Sequence, residues 1–236
     1  MLSKITYFFL FFSTIVGTFF ISTSCQPKIS IQAGNQKIPV SRETVADMKI
    51  AQIIQPYKDS LDKSMNEIIG KADTNFLVQR PSSNMMNWIV NAVFTNQTRT
   101  VRLAQPAICL LNTGGIRSGF FKGNITIGDV FKVMPFDNTI VWVELPIEVK
   151  PEIEAFLQKT GGEPLANAQF LNGKLSLNGE NENTKSFLII TSDYLANGGD
   201  KMDFFKKGKI TNNSGKLLRD ALLEEVKSQG TLVNRN

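Results

Sequence analysis

Two stretches of the chain hold the residue types that ligand chemistry needs. The first is Asn112-Thr113-Gly114-Gly115-Ile116-Arg117, with Pro135-Phe136 a short way on. The second is Ser192-Asp193-Tyr194-Leu195-Ala196-Asn197-Gly198-Gly199-Asp200. Each follows an apolar run that reads as a strand, and each carries a glycine pair that lets a ligand approach the backbone closely. Arg117 offers a planar fork for phosphate or carboxylate. Asp200 can accept two hydrogen bonds from a ribose diol. Phe136 and Tyr194 offer faces on which a base can stack, worth roughly 1–3 kcal/mol per base. This set suits a nucleoside and its phosphate. Taken singly, the residues have plainer readings: a glycine turn with a surface arginine, a core phenylalanine among the chain's 17, and a turn or cap for Asp193.

An absence bounds the chemistry as firmly. The chain has no histidine, so neither a serine–histidine nor a cysteine–histidine nucleophile is available, and no metal can be held by imidazole. Carboxylates remain, but Asp129, Asp137, Asp193, Asp200 and Asp203 show no paired-ligand spacing. Water activation by a pair of metals needs an assembled site. The reading is therefore of a chain that binds rather than cleaves, with no catalytic residue and no cofactor of its own.

Positioning these loops requires alternating strands and helices. Ala107–Leu111, Thr139–Leu145 and Ser186–Thr191 read as buried strands. Helices are expected over Asn84–Thr95 behind the caps Ser82 and Ser83, over Ile127–Val133, over Val149–Lys159 before Gly161-Gly162, and over Ser214–Lys227. Apolar residues from Val45 to Ala72 recur at helical spacing, and Pro56 makes this two helices or a kinked one. Asn172-Gly173 and Asn178-Gly179 bracket Leu175 and Leu177 as a hairpin or paired turns. With no repeat and no long linker, the pattern gives one α/β domain over 43–230, preceded by a tether and first strand over 26–42.

The N-terminus reads as a targeting segment. Lys4 precedes an apolar run from Ile5 to Ile21, then Ser22-Thr23-Ser24 and Cys25. This fits a secretory signal over 1–25 with a lipobox-like end at which Cys25 is lipidated; a membrane-spanning helix is the rival reading. The first alternative leaves Cys109 as a buried unpaired thiol, with no disulfide framework. It puts the chain outside the cytoplasm in a bacterial envelope, lipid-anchored to a membrane facing the periplasm or cell surface. The net charge is +5, but the basic residues are scattered, with Lys206-Lys207 the densest pair, which argues against a nucleic-acid partner.

Four stretches in order carry a resemblance: Asn-x-Gly-Gly-Ile-Arg at 112–117, Ile-Gly-Asp-Val at 127–130, Met-Pro-Phe-x-Asn at 134–138, and the 192–200 segment. With Arg80 and the helix after it, they resemble the C-terminal, substrate-binding domain of the 5′-nucleotidase / UDP-sugar hydrolase family. The resemblance implies a four-layer α/β/β/α arrangement. It implies a base held between Phe136 and Tyr194, a ribose on Asp200, and arginines Arg117 and Arg80 toward ribose and phosphate. Asn112, Gly114, Gly115, Gly198 and Gly199 complete the implied binding set. Thr113, Asp137, Lys201 and Met202 depart from the family pattern, and the segment from Gly161 to Ser186 is shortened.

Family members carry a metallophosphoesterase domain ahead of this one, and too few residues precede Arg80 to build it. The expectation is substrate recognition for phosphoester hydrolysis in nucleotide catabolism. A separate metallophosphoesterase chain then supplies the divalent metals, and a nucleoside or nucleotide is the ligand. The alternative is a nucleotide-binding or sensing lipoprotein without catalysis.

Overall fold

The computed structural model describes residues 47–234. The expected first strand and Cys25 lie outside the described residues. Within them, ten strands form sheets of five, three and two strands, interleaved with helices.

The centre is built from three strands whose side chains are mostly buried. β2 (Ala107–Leu110) and β8 (Ser186–Ser192) pair in parallel, and β4 (Thr139–Pro146) runs antiparallel to β8 with Ile140 opposite Ser192. Ile108, Phe187, Ile189 and Ile190 are fully buried, each contributing about 1.5–3 kcal/mol by leaving water. β5 (Leu165–Ala166) and β9 (Lys209–Leu217) are the two edges of this five-stranded sheet. Cys109 is buried and unpaired in β2, and burial pushes its thiol far up from the ordinary value.

α2 (Asn84–Thr98) starts at Ser83, whose Oγ accepts from the Met86 amide, and packs on β2 and on α6 (Leu218–Gln229). The other side of α6 meets the three-stranded sheet. That sheet is ordered β10 (Thr231–Leu232), β1 (Ile68–Ala72), β3 (Gly123–Thr126). Here Gly70 is required: a Cβ would come within 2.7 Å of Val226. α3 (Ile127–Val133) opens with a reciprocal cap: Thr126 Oγ1 accepts from the Asp129 amide while Asp129 accepts from Thr126 N. Burial works against the Asp129 charge, but the bonds from Thr126 and the Lys132 ammonium outweigh it and hold the carboxyl below its usual value. The hairpin of β6 (Ala168–Leu171) and β7 (Lys174–Leu177) turns at Asn172-Gly173, both with positive φ. α4 (Lys150–Thr160) lies beside it, and its Glu154 accepts from the Leu175 amide.

Two expectations need correction. α1 is one helix, Met48–Met65, running through Pro56, and it stops before Ile68 and Ile69, which form β1. The apolar pair suits either period, and pairing with β3 and β10 decides for the strand. Residues 214–217 likewise continue β9 against β4, and the last long helix begins only at Leu218. No helix among the described residues is long and apolar enough to cross a membrane.

Candidate functional site

The topology gathers three loops at one end of the central sheet. β2 and β8 end there, at Leu110 and Ser192, and antiparallel β4 begins there, at Thr139. Asn112 therefore follows one strand end, Tyr194 follows the next, and Phe136 precedes the third. One carboxylate fastens two of these loops together. Asp193 Oδ1 accepts from Thr139 N at 3.1 Å and from Tyr194 N at 2.8 Å, so it sets the loop bearing Phe136 against the turn bearing Tyr194. The cap of this turn is Ser192, whose Oγ accepts from the Leu195 amide, and Asp193 instead ties two elements together.

The group at the middle is Asp200. Its Oδ2 accepts from Asn112 Nδ2 at 2.6 Å and its Oδ1 from the Tyr194 hydroxyl at 2.8 Å. Two of the expected residues thus meet on the carboxylate of a third, and Asn112 lies 88 positions from Asp200. The glycines permit it. A Cβ on Gly115 would lie 2.7 Å from Asn112 Oδ1, and one on Gly199 would lie 2.5 Å from the Tyr194 ring. Gly198, at φ 88, and then Asp200 and Lys201, at φ 51 and 65, turn the chain through the left-handed region. Glycine enters it freely, aspartate at small cost, and lysine at roughly 1 kcal/mol.

Tyr194 and Phe136 are 46% and 44% exposed, whereas Phe76, Phe120, Phe187 and Phe205 are buried. The core reading of Phe136 is thereby set aside. Arg117 is exposed and donates from Nη1 to Gly114 O at 3.3 Å. Arg80 does a different job from its neighbours. Its Nη1 donates to the carbonyls of Thr160 and Gly162 at 2.7 and 2.9 Å, and both Nη atoms reach Glu163 Oε1. Glu163 Oε2 then accepts from Thr113 N and Thr113 Oγ1, each at 2.7 Å. Arg80 is thus wired to the Asn112 loop through Glu163, a residue whose sequence surroundings give no sign of the role. Thr113 supplies the hydroxyl in this link.

The hydrogen bond to Asp200 raises the Tyr194 phenol above its ordinary value. The carboxylate charge adds to this, against a lowering by the Asp200 amide. Ultraviolet difference titration of the Asp200→Ala variant against the parent isolates this phenol, because Tyr7 and Tyr57 are common to both. The phenolate band is expected to appear at lower pH in the variant. Coincident curves would mean that the bond does not form in solution.

Among the described residues, no three Asp, Glu or Cys side chains converge as a metal site would require. The arrangement can bind, orient and accept hydrogen bonds.

Residues 68–146 match the family model of the 5′-nucleotidase, C-terminal domain. The chain is 24% identical over 224 residues to a trifunctional nucleotide phosphoesterase protein of Bacillus subtilis, covering 84% of this chain and 15% of that one. It is 24% identical over 201 residues to an NAD 5′-nucleotidase of Haemophilus influenzae, covering 71% and 33%. The solved structure of a 5′-nucleotidase precursor from Thermus thermophilus superposes with a TM-score of 0.62 at 21% identity, over 80% of this chain and 42% of that one, and shares the fold. The chain spans less than half the length of each of these relatives. Over residues 68–146 the chain is thus similar to the 5′-nucleotidase C-terminal domain, and it matches one fragment of its longer relatives.

Proposed function

We propose that this domain recognises the nucleoside part of a nucleotide 5′-monophosphate or nucleotide sugar. It holds that part for phosphoester hydrolysis by a metallophosphoesterase whose metals lie outside these 236 residues. The observation that carries the reading is the exposed Asp200 carboxylate, fixed by Asn112 and Tyr194. Each oxygen accepts one bond from the protein and keeps a second lone pair, so a ribose diol can donate to both without displacing either partner. Phe136 and Tyr194 offer exposed rings at the same sheet end. Arg117 stands on the first loop, where a phosphate or sugar oxygen could meet its fork.

The names of the relatives, a nucleotide phosphoesterase and an NAD 5′-nucleotidase, support the substrate class. The residues present do not fit a two-metal centre, since the sequence has no histidine. The apolar run before Ser22-Thr23-Ser24-Cys25 supports export and a lipid anchor on Cys25, which would place the domain at an envelope membrane surface.

Calorimetric titration of adenosine, AMP and a UDP-sugar into the full chain in mild detergent tests the reading. Saturable heat is expected, and Asp200→Ala and Tyr194→Ala should each weaken binding at least about tenfold, or ~1.4 kcal/mol. Silence from all three ligands at millimolar concentration would overturn it.

A further inference from the structure

We infer that Arg219, far in sequence from every motif, is a positioning residue for Phe136. It stands in the first turn of α6 and is 7% exposed. Its guanidinium brackets the aromatic: Nη1 donates to Met134 O at 3.4 Å, two residues before Phe136, and Nη2 to Asp137 Oδ1 at 2.5 Å, the residue after it. The same group lies 4.2 Å over the Phe131 ring. Its Nε is buried and has no partner among the described residues.

A buried guanidinium with an idle donor is a poor choice for stability alone, because an apolar side chain of similar volume would avoid the desolvation. Its carboxylate partner is 77% exposed, so water screens the attraction that would offset burying the guanidinium. What the contacts do achieve is local. They fix both flanks of a short loop whose Pro135 already restricts the backbone, leaving Phe136 as a half-exposed ring on an ordered support. A ring ordered in advance binds a flat ligand without the cost of ordering the loop at the moment of binding. Asp137, a departure from the family pattern, becomes the residue through which Arg219 acts. The inference rests on the nucleoside reading of Phe136.

The test uses the full chain with Asp137→Ala, Phe136→Ala and the double variant, titrated with adenosine and melted thermally. Asp137→Ala is expected to weaken adenosine about fivefold in the parent and not at all in the Phe136→Ala background. Its unfolding midpoint should also fall, because the buried Arg219 guanidinium loses its carboxylate, so the double variant and not the melting shift isolates the effect on Phe136. A reporter independent of ligand is the substitution Phe136→Trp, read by acrylamide quenching; Trp88 and Trp142 are 9% and 6% exposed and stay dark to the quencher. Quenching of the reporter should rise when Asp137→Ala or Arg219→Lys is added. Unchanged quenching, or equal weakening by Asp137→Ala with and without Phe136, would overturn the inference. If adenosine fails to bind the parent, the nucleoside reading falls, and the reporter still decides whether Arg219 holds the loop.

Discussion

Glu163→Ala is expected to lower the thermal midpoint by roughly 6 °C, the equivalent of about 2 kcal/mol for leaving the donors that Glu163 serves without an acceptor in a domain of this size. The side chain of Glu163 is 4% exposed and serves donors from two directions. Without it the Arg80 guanidinium loses its carboxylate, and the Thr113 amide and hydroxyl lose their acceptor. Glu163→Gln keeps the shape but turns an amide NH2 toward one of those donors, so it should recover only part of the loss. Because Thr113 opens the turn after Asn112, nucleoside affinity should fall in step with stability. Differential scanning calorimetry of the three proteins checks this. A glutamine variant as stable as the parent would show that the charge contributes nothing.

Gly199→Ala is expected to act almost wholly on binding. The added methyl would meet three carbons of the Tyr194 ring at 2.5, 2.6 and 2.7 Å, so the ring must swing away. The hydroxyl then leaves Asp200, and the ring is no longer where a base would stack. Loss of one stacking face and one aligned hydrogen bond should cost adenosine about 2–4 kcal/mol, thirtyfold or more in affinity. Tyr194 is 46% exposed, so its displacement uncovers little apolar surface, and the melting curve should hardly move. Titration beside calorimetry separates the two effects. Equal loss of stability and affinity would mean that Tyr194 braces the fold.

Much of this was legible in the chain, and the reasons are physical. Strands buried on both faces announce themselves as continuous apolar runs, so β2, β4 and β8 were read nearly residue by residue. Where strands end is also where glycine pairs and polar residues must stand, and the site motifs followed from that. β9 was not legible, because an exposed edge strand such as Lys209–Leu217 carries no apolar period. Ile68 and Ile69 were misread because two apolar neighbours do not distinguish a helix from a strand until a partner strand is known. Glu163 and Arg219 were missed for another reason. Their partners lie 50–85 positions away, and long-range pairing leaves no local trace. Asp193 reads as a cap or turn residue, but the cap is its neighbour Ser192, and its reach to Thr139 depends on the register of β4 against β8.

The left-handed pair Asp200-Lys201 has a consequence for how such a domain changes over generations. Folding alone would be served better by glycine at either position, since glycine enters this backbone region without penalty. Single-nucleotide changes turn an aspartate codon into a glycine codon, so that improvement is always within reach. At Asp200 the ease of the turn and the chemistry of the carboxylate therefore pull in opposite directions: glycine would serve the first and remove the acceptor that Asn112 and Tyr194 grip.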